Sequence, residues 1–207
     1  LRRVSLVAGR LFVDDSPATD ENAVMALVGK APLVKLICGM ISARKELLEE
    51  SRRRLVDHFG PVDCASEVFP FDFTHYYDDQ MGSPLLRQFV SFERVADPAA
   101  LVEAKLATNA LEEEFAQSCG SPPPRPVNLD PGYVEESKLV LASMKNFSHR
   151  IYVGRGVYEE ITLMYRKGGW EALGWTFPDY ASQRYHPFLL TARMLLRRQV
   201  HGKETPE

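Results

Sequence analysis

Residues 33–42, LVKLICGMIS, form a near-continuous apolar run. It is too short to span a bilayer and suits a buried strand. The period then changes. In ARKELLEESRRRLVDHFG (43–60), Leu47, Leu48, Leu55 and Phe59 recur at helical spacing, Ser42 can cap the start, and Gly60-Pro61 stops the run. Glu49 with Arg53 and Glu50 with Arg54 stand in the favourable i,i+4 order. SEVFPFDFTHYY (66–77) and LLRQFVSFERV (85–95) alternate roughly, predicting two strands joined across DDQMGSP. Asp97-Pro98 opens a second helix to about Gln117. Its stripe is Leu101, Ala104, Leu111 and Phe115, interrupted by Thr108, with Lys105, Asn109 and Glu112 along its edge.

SCGSPPPRP (118–126) is a linker, too rich in proline for a helix or a central strand. A strand near PVNL then runs into Asp130-Pro131-Gly132, which reads as a turn. VEESKLVLASMKN (134–146) reads as a short, largely buried helix, and HRIYVGRGVYEEITLMY (149–165) as a hairpin turning at Gly154-Arg155-Gly156. With Val153 opposite Val157, Tyr152 faces Tyr158 and Arg150 faces Glu160. KGGW introduces a strand ending near Trp175, WTFPDY makes an aromatic turn, and a basic amphipathic helix runs to about Gln199. In that helix Arg193, Arg197, Arg198, His201 and Lys203 oppose Leu189, Leu190, Leu195 and Leu196. At the other end LRRVSLVAGRLFV reads as a strand or extended arm, and DDSPATDEN starts a helix leading into AVMALVG.

Strand, helix, two strands, helix, strand is the order of a ferredoxin-like half. The expected fold is α+β: a mixed, mainly antiparallel sheet with helices packed on it, extended by a C-terminal β-hairpin. The expected organisation is an N-terminal extension (1–33), one α+β domain (34–200) containing the proline-rich linker, and a tail (201–207).

Composition adds exclusions. At 45% hydrophobic and 26% charged over 207 residues, the chain can bury a sizeable core. A net charge of −3 makes nucleic acid the disfavoured partner, and no run approaches the roughly 20 apolar residues of a membrane span. The partners left are a small anionic ligand and further copies of the chain. Cys38, Cys64 and Cys119 are odd in number and far apart, without CxxC or zinc spacing, and suit idle thiols in the cytoplasm.

FPFDFTHYYDDQMG, FVSFE, VNLDPGY, KLVLASMK, HRIYVGRGVYEEITLMY and WTFPDY occur in an order that resembles a bacterial family catalogued only as a domain of unknown function. Its members are sometimes labelled GTP-binding protein. The resemblance covers about residues 33–200 and implies no reaction, substrate or cofactor. His75 stands where it implies an acidic residue. The GTP label finds no P-loop in these residues. VMALVGKA lacks the first glycine of GxxxxGK[ST] and has Ala31 where a hydroxyl should hold magnesium, and GxGxxG is absent.

The polar residues between 128 and 162 carry the candidate chemistry. Asn128 and Asp130 either brace a turn or orient a ligand, with Asp130 also a candidate acid/base. Tyr133, Tyr152 and Tyr158 offer rings, and Lys138, Lys145 and Arg150 offer charge to an anion. Asp72, with Tyr76 and Tyr77, lies at a strand end. His149 is the second acid/base candidate. Asp72, Asp130, His149 and Glu160 have ligand chemistry for manganese, iron or zinc, but no HxxxH or HxH spacing supports a site, so no metal is assigned. There is no GxSxG nucleophile elbow, and no cofactor is implied. The leading reading is a pocket for a small anion, a nucleotide or other phosphate compound, around NLDPGY. The alternatives are a protein-interaction or assembly module and an RNA-binding protein.

Overall fold

A computed structural model of the chain describes residues 4–7, 10–13, 29–74, 77–120 and 123–202. His75, Tyr76, Lys203 and the helix expected after Asp14 lie outside these. Residues 1–30 form one unit, in which β1 (Val4–Val7) pairs antiparallel with β2 (Arg10–Val13).

The second unit, residues 31–207, is built around β3 (Val34–Ser42), all nine residues of which are buried. After it come α1 (Lys45–Phe59), β4 (Val62–Ala65), β5 (Phe69–Pro70), α2 (Asp78–Met81), β6 (Leu86–Ala96) and α3 (Ala100–Cys119). The chain continues through β7 (Asn128–Val134), β8 (Lys138–Ser143), β9 (Ile151–Gly154), β10 (Val157–Arg166) and β11 (Gly169–Ala172), and closes with α4 (Pro178–Ala181) and α5 (His186–His201). The strands lie in the order β11-β10-β8-β7-β3-β6-β4, with β5 added to β6 and β9 to β10. Every pairing is antiparallel. The run β3-α1-β4-β6-α3-β7 places its strands as β7-β3-β6-β4, a ferredoxin-like unit, and β8 to β11 continue the sheet past β7.

Alternate residues of β3 serve two cores, because successive side chains of a strand point to opposite faces. Val34, Leu36, Cys38 and Met40 pack with Leu48 and Leu55 of α1 and with Leu101, Ala104, Leu111 and Phe115 of α3. Ile37 packs on the other face with Phe89, Leu139, Leu163 and with Phe188, Leu189 and Ala192 of α5. α1 and α3 begin two residues past the expected caps: Arg44 and Ala99 are the N-caps, without a side-chain cap bond, while Ser42 Oγ accepts the Arg44 N–H at 3.1 Å and Asp97 Oδ1 accepts the Ala99 N–H at 2.9 Å just before the helices.

Three expectations are corrected. Residues 134–146 hold no helix: Glu135–Ser137 turn the chain into β8, whose Leu139 and Leu141 enter one core while Val140 and Ala142 enter the other. A strand buried on both faces shows the same unbroken apolar run as a buried helix, so periodicity does not separate them. The strand expected at 66–77 shrinks to Phe69–Pro70 on the edge of β6, where a proline is tolerated, and β4 precedes it unannounced. β11 stops at Ala172, and Pro178–Ala181 form the short helix α4.

Candidate functional site: a cleft where two strands part

Asp130-Pro131-Gly132 is not a turn. It lies inside β7, paired to β3 from Asn128–Ile41 to Val134–Lys35. On its other side the ladder to β8 runs only from Val134–Leu139 to Gly132–Leu141. Pro131 comes next and has no N–H to offer. At Gly132 the strands are so close that a Cβ would lie 2.5 Å from the Val140 carbonyl oxygen, and one residue later they separate.

The freed edge of β7 is taken up by side chains of α3. Glu112 Oε1 accepts the Leu129 N–H at 2.7 Å, and Lys105 Nζ donates to the Leu129 carbonyl at 3.1 Å. Two ionisable groups thus stand where a neighbouring strand would be. Between them and the end of β8 lies a cleft of about 880 Å³. Its walls include Lys105, Asn109 and Glu112 of α3, Asn128 and Asp130 of β7, Ser143 to Lys145 beyond the split, and Phe71, Phe73 and Tyr77.

Arg87 forms part of the floor. It is buried among the rings of Phe71, Phe89, Tyr180 and Tyr185, with its Cζ 4.8 Å from the Phe89 centroid and 5.0 Å from that of Tyr180. Its Nη2 donates to the Tyr180 hydroxyl at 2.7 Å and lies 3.7 Å from Asp130 Oδ2. Asp179 Oδ2 is 3.0 Å from Nη1, an ion pair without hydrogen-bond alignment, and Nε has no acceptor among the described residues. Burial alone would lower the Arg87 pKa, but Tyr180, Asp179 and Asp130 outweigh it and hold the pKa up. Burial pushes the Asp179 carboxyl upward against the pull of Arg87. The guanidinium needs room that only Gly39 provides, because a Cβ there would meet Nη2 and Phe89 at 2.9 Å.

Along the wall, Arg125 pairs with Glu112 at 3.0 Å and donates to the Asn128 side-chain oxygen, while Asn128 Nδ2 donates to Asp130 Oδ2 at 2.7 Å. Burial raises the Glu112 pKa against Lys105 and Arg125. At the far end, Arg150 Nε bonds Glu160 at 2.7 Å, and its Nη1 donates to Ser143 Oγ and the Lys145 carbonyl, both at 2.9 Å. His149 Nε2 meets the same Glu160 oxygen at 2.8 Å and stacks on Trp175 at 5.6 Å. His149 lines a neighbouring hollow of about 480 Å³ with Phe147 and Trp175, and Arg150 and Phe177 line both spaces.

Of the residues singled out in the sequence, Tyr77, Asn128, Asp130, Lys145, Arg150 and Glu160 meet at the cleft. Asp72, Tyr133, Lys138, His149, Tyr152 and Tyr158 do not line it. Tyr133 points into the core shared with α1 and α3, where burial raises its pKa to about 12. Lys138 pairs with Glu135 at the opposite end of β8. Tyr152 and Tyr158 touch each other at 5.3 Å on the outer hairpin, opposite one another as the sequence suggested. Asp72 points outward to Arg184 at 3.1 Å, while its neighbours Phe71 and Phe73 face the cleft. Of the four residues with ligand chemistry, His149 and Glu160 touch while Asp72 turns away to Arg184, and among the described residues no group of three His, Cys, Asp or Glu could hold a metal. Lys105, Asn109 and Glu112 were visible as the polar edge of a helical stripe. Arg87 was not singled out in the sequence, although its place two residues before Phe89 on an alternating strand is the signal that sets it on the same face.

Residues 32–195 match the family described as a domain of unknown function, DUF4416. No curated protein and no solved structure matches the chain. Among the described residues, no helix is long and apolar enough to cross a membrane.

Proposed function

The chain belongs to the DUF4416 family, whose description assigns no activity, and we propose from the cleft itself that it binds a small organic anion of the phosphate class. The observation that carries this reading is Lys105. Its residue is 6% exposed, its ammonium lines the cleft, and its one hydrogen bond goes to the Leu129 carbonyl. An ammonium has three donors, so two have no acceptor among the described residues. Burying a cation so sparsely bonded is costly unless something else meets it. Arg150 is similarly placed, held at Nε and Nη1, with no hydrogen bond at Nη2 among the described residues. A guanidinium fixed by a carboxylate on one edge and open on another suits two-pronged contact with an anion. Phe71, Phe73 and Tyr77 add apolar wall for the rest of the ligand.

The test is a thermal-shift panel on the full chain with inorganic phosphate, pyrophosphate, sugar phosphates and nucleotides. A ligand at about a hundred times its Kd stabilises by about 2.7 kcal/mol, a rise of about 5–10 °C for a domain of this size. Lys105→Met should abolish the shift, and Lys138→Ala, whose ammonium lies away from the cleft, should keep it. A panel without any shift, or a shift that survives Lys105→Met, overturns the reading.

A further inference from the structure

β9 is an apolar strand that stands largely exposed among the described residues. It pairs with β10 through Ile151–Glu159, Tyr152–Tyr158 and Gly154–Val157, and among the described residues no strand meets its other edge. Ile151 is 72% exposed, Tyr152 59% and Val153 38%. Consecutive strand residues point to opposite faces, so exposure of all three in a row leaves both faces largely open, with Tyr152 touching Tyr158 of its own hairpin. Sheet edges are ordinarily guarded by proline, lysine, an inward charge or a covering helix. Ile151–Gly154 contain no proline and no charge.

The surface around the strand is apolar too. Phe147 is 63% exposed and Trp175 44%. Phe147 contacts His149 at 5.2 Å, His149 stacks on Trp175, and the Trp175 indole donates to the Ile161 carbonyl at 2.9 Å. Ile161 and Met144 are exposed beside them.

We propose that this edge is a dimer interface in which β9 pairs antiparallel with β9 of a second copy of the chain. An antiparallel edge is self-complementary about a two-fold axis, so one patch serves both partners. The area agrees. With about 150–250 Å² for a freely exposed aromatic side chain and somewhat less for an aliphatic one, the patch holds on the order of 500 Å² of apolar surface. A standard interface takes roughly 800 Å² from each partner, a little over half of it apolar. The patch therefore supplies about the apolar share of one such interface. Phe177, which faces the phosphate-class cleft, is not needed for it, so this interface stands whether or not that cleft binds an anion.

The experiment is sedimentation velocity on the full chain across the micromolar range, with Ile151→Lys and Val153→Lys as variants. Both side chains are exposed, and lysine is a natural guard on sheet edges, so the monomer should keep its fold by circular dichroism. The expected result is a dimer for the parent and monomers for both variants. The β9 amides on the edge away from β10 should exchange slowly in the parent and fast in the variants. A parent that stays monomeric overturns the proposal. So does a dimer that both variants leave intact, or one whose free-edge β9 amides exchange freely.

Discussion

Replacing Gly132 by alanine tests the account of why the sheet opens where it does. The added Cβ would lie 2.5 Å from the Val140 carbonyl oxygen and 2.6 Å from Leu141 Cδ2, against the 3.4 Å at which ordinary contact begins. The shortfall to the oxygen is 0.9 Å, and a backbone atom cannot swing aside. β7 and β8 must move apart by about that distance, which takes the ladder beside Tyr133–Val140 out of hydrogen-bonding range. Overpacking costs about 1–3 kcal/mol, and two ladder bonds add about 1 kcal/mol each. The loss is then about 3–5 kcal/mol, a fall in Tm of about 10–15 °C for a domain of this size. Differential scanning calorimetry would measure it, with Gly169→Ala as the comparison, since nothing lies within 4 Å of a Cβ there. A Gly132→Ala chain that melts with Gly169→Ala would refute the close approach and, with it, the idea that the ladder is pinned at this residue.

Other outcomes follow from the ionisable groups. Lys105→Met should leave the ligand-free Tm nearly unchanged, because relief from burying an ammonium offsets the lost bond to Leu129; a large fall would make Lys105 structural. Arg87→Met should destabilise by about 3–5 kcal/mol, since it strands Asp179 without its cation. Urea titration would show this, and a midpoint shift under a third of that size would contradict it. Burial raises the folded pKa of Glu112, so its contribution to stability is full below the unfolded pKa and is lost as pH rises through the folded one. Glu112→Gln, which does not titrate, should therefore gain in Tm relative to the parent as pH rises from about 4 to about 7. A difference constant with pH would show that Glu112 is not held in this way.

The sequence was legible wherever a pattern had one structural meaning. The buried run at 34–42, the stripes of α1 and α3, and the hairpin facing Tyr152 with Tyr158 all form as their periodicity predicts. The order of these elements carried the ferredoxin-like arrangement. It was not legible where two structures share a pattern. KLVLAS alternates between two cores, and Asp130-Pro131-Gly132 has the composition of a turn although β7 passes straight through it. A proline inside a strand is acceptable only where the adjacent ladder has ended, and where that happens is a tertiary fact. The same limit applied to the site. Asn128, Asp130 and Arg150 were recognised by their density of polar chemistry, whereas Lys105 and Glu112 come from a helix about twenty residues upstream whose register against β7 no local pattern encodes.

Arg87 has a consequence during synthesis as well as in the finished protein. The strands of the ferredoxin-like unit leave the ribosome before β8 and α5, and the face bearing Ile37 and Phe89 must wait for its cover. Asp179 and Tyr180 arrive later still. Until then a hydrated guanidinium sits between the aromatic side chains of that face and interrupts what would be a sticky surface. A cation buried in the folded chain is thus expected to act first as a gatekeeper, keeping nascent copies apart. On this account Arg87→Met should aggregate on refolding far more than Gly132→Ala does, which light scattering after dilution from urea would show.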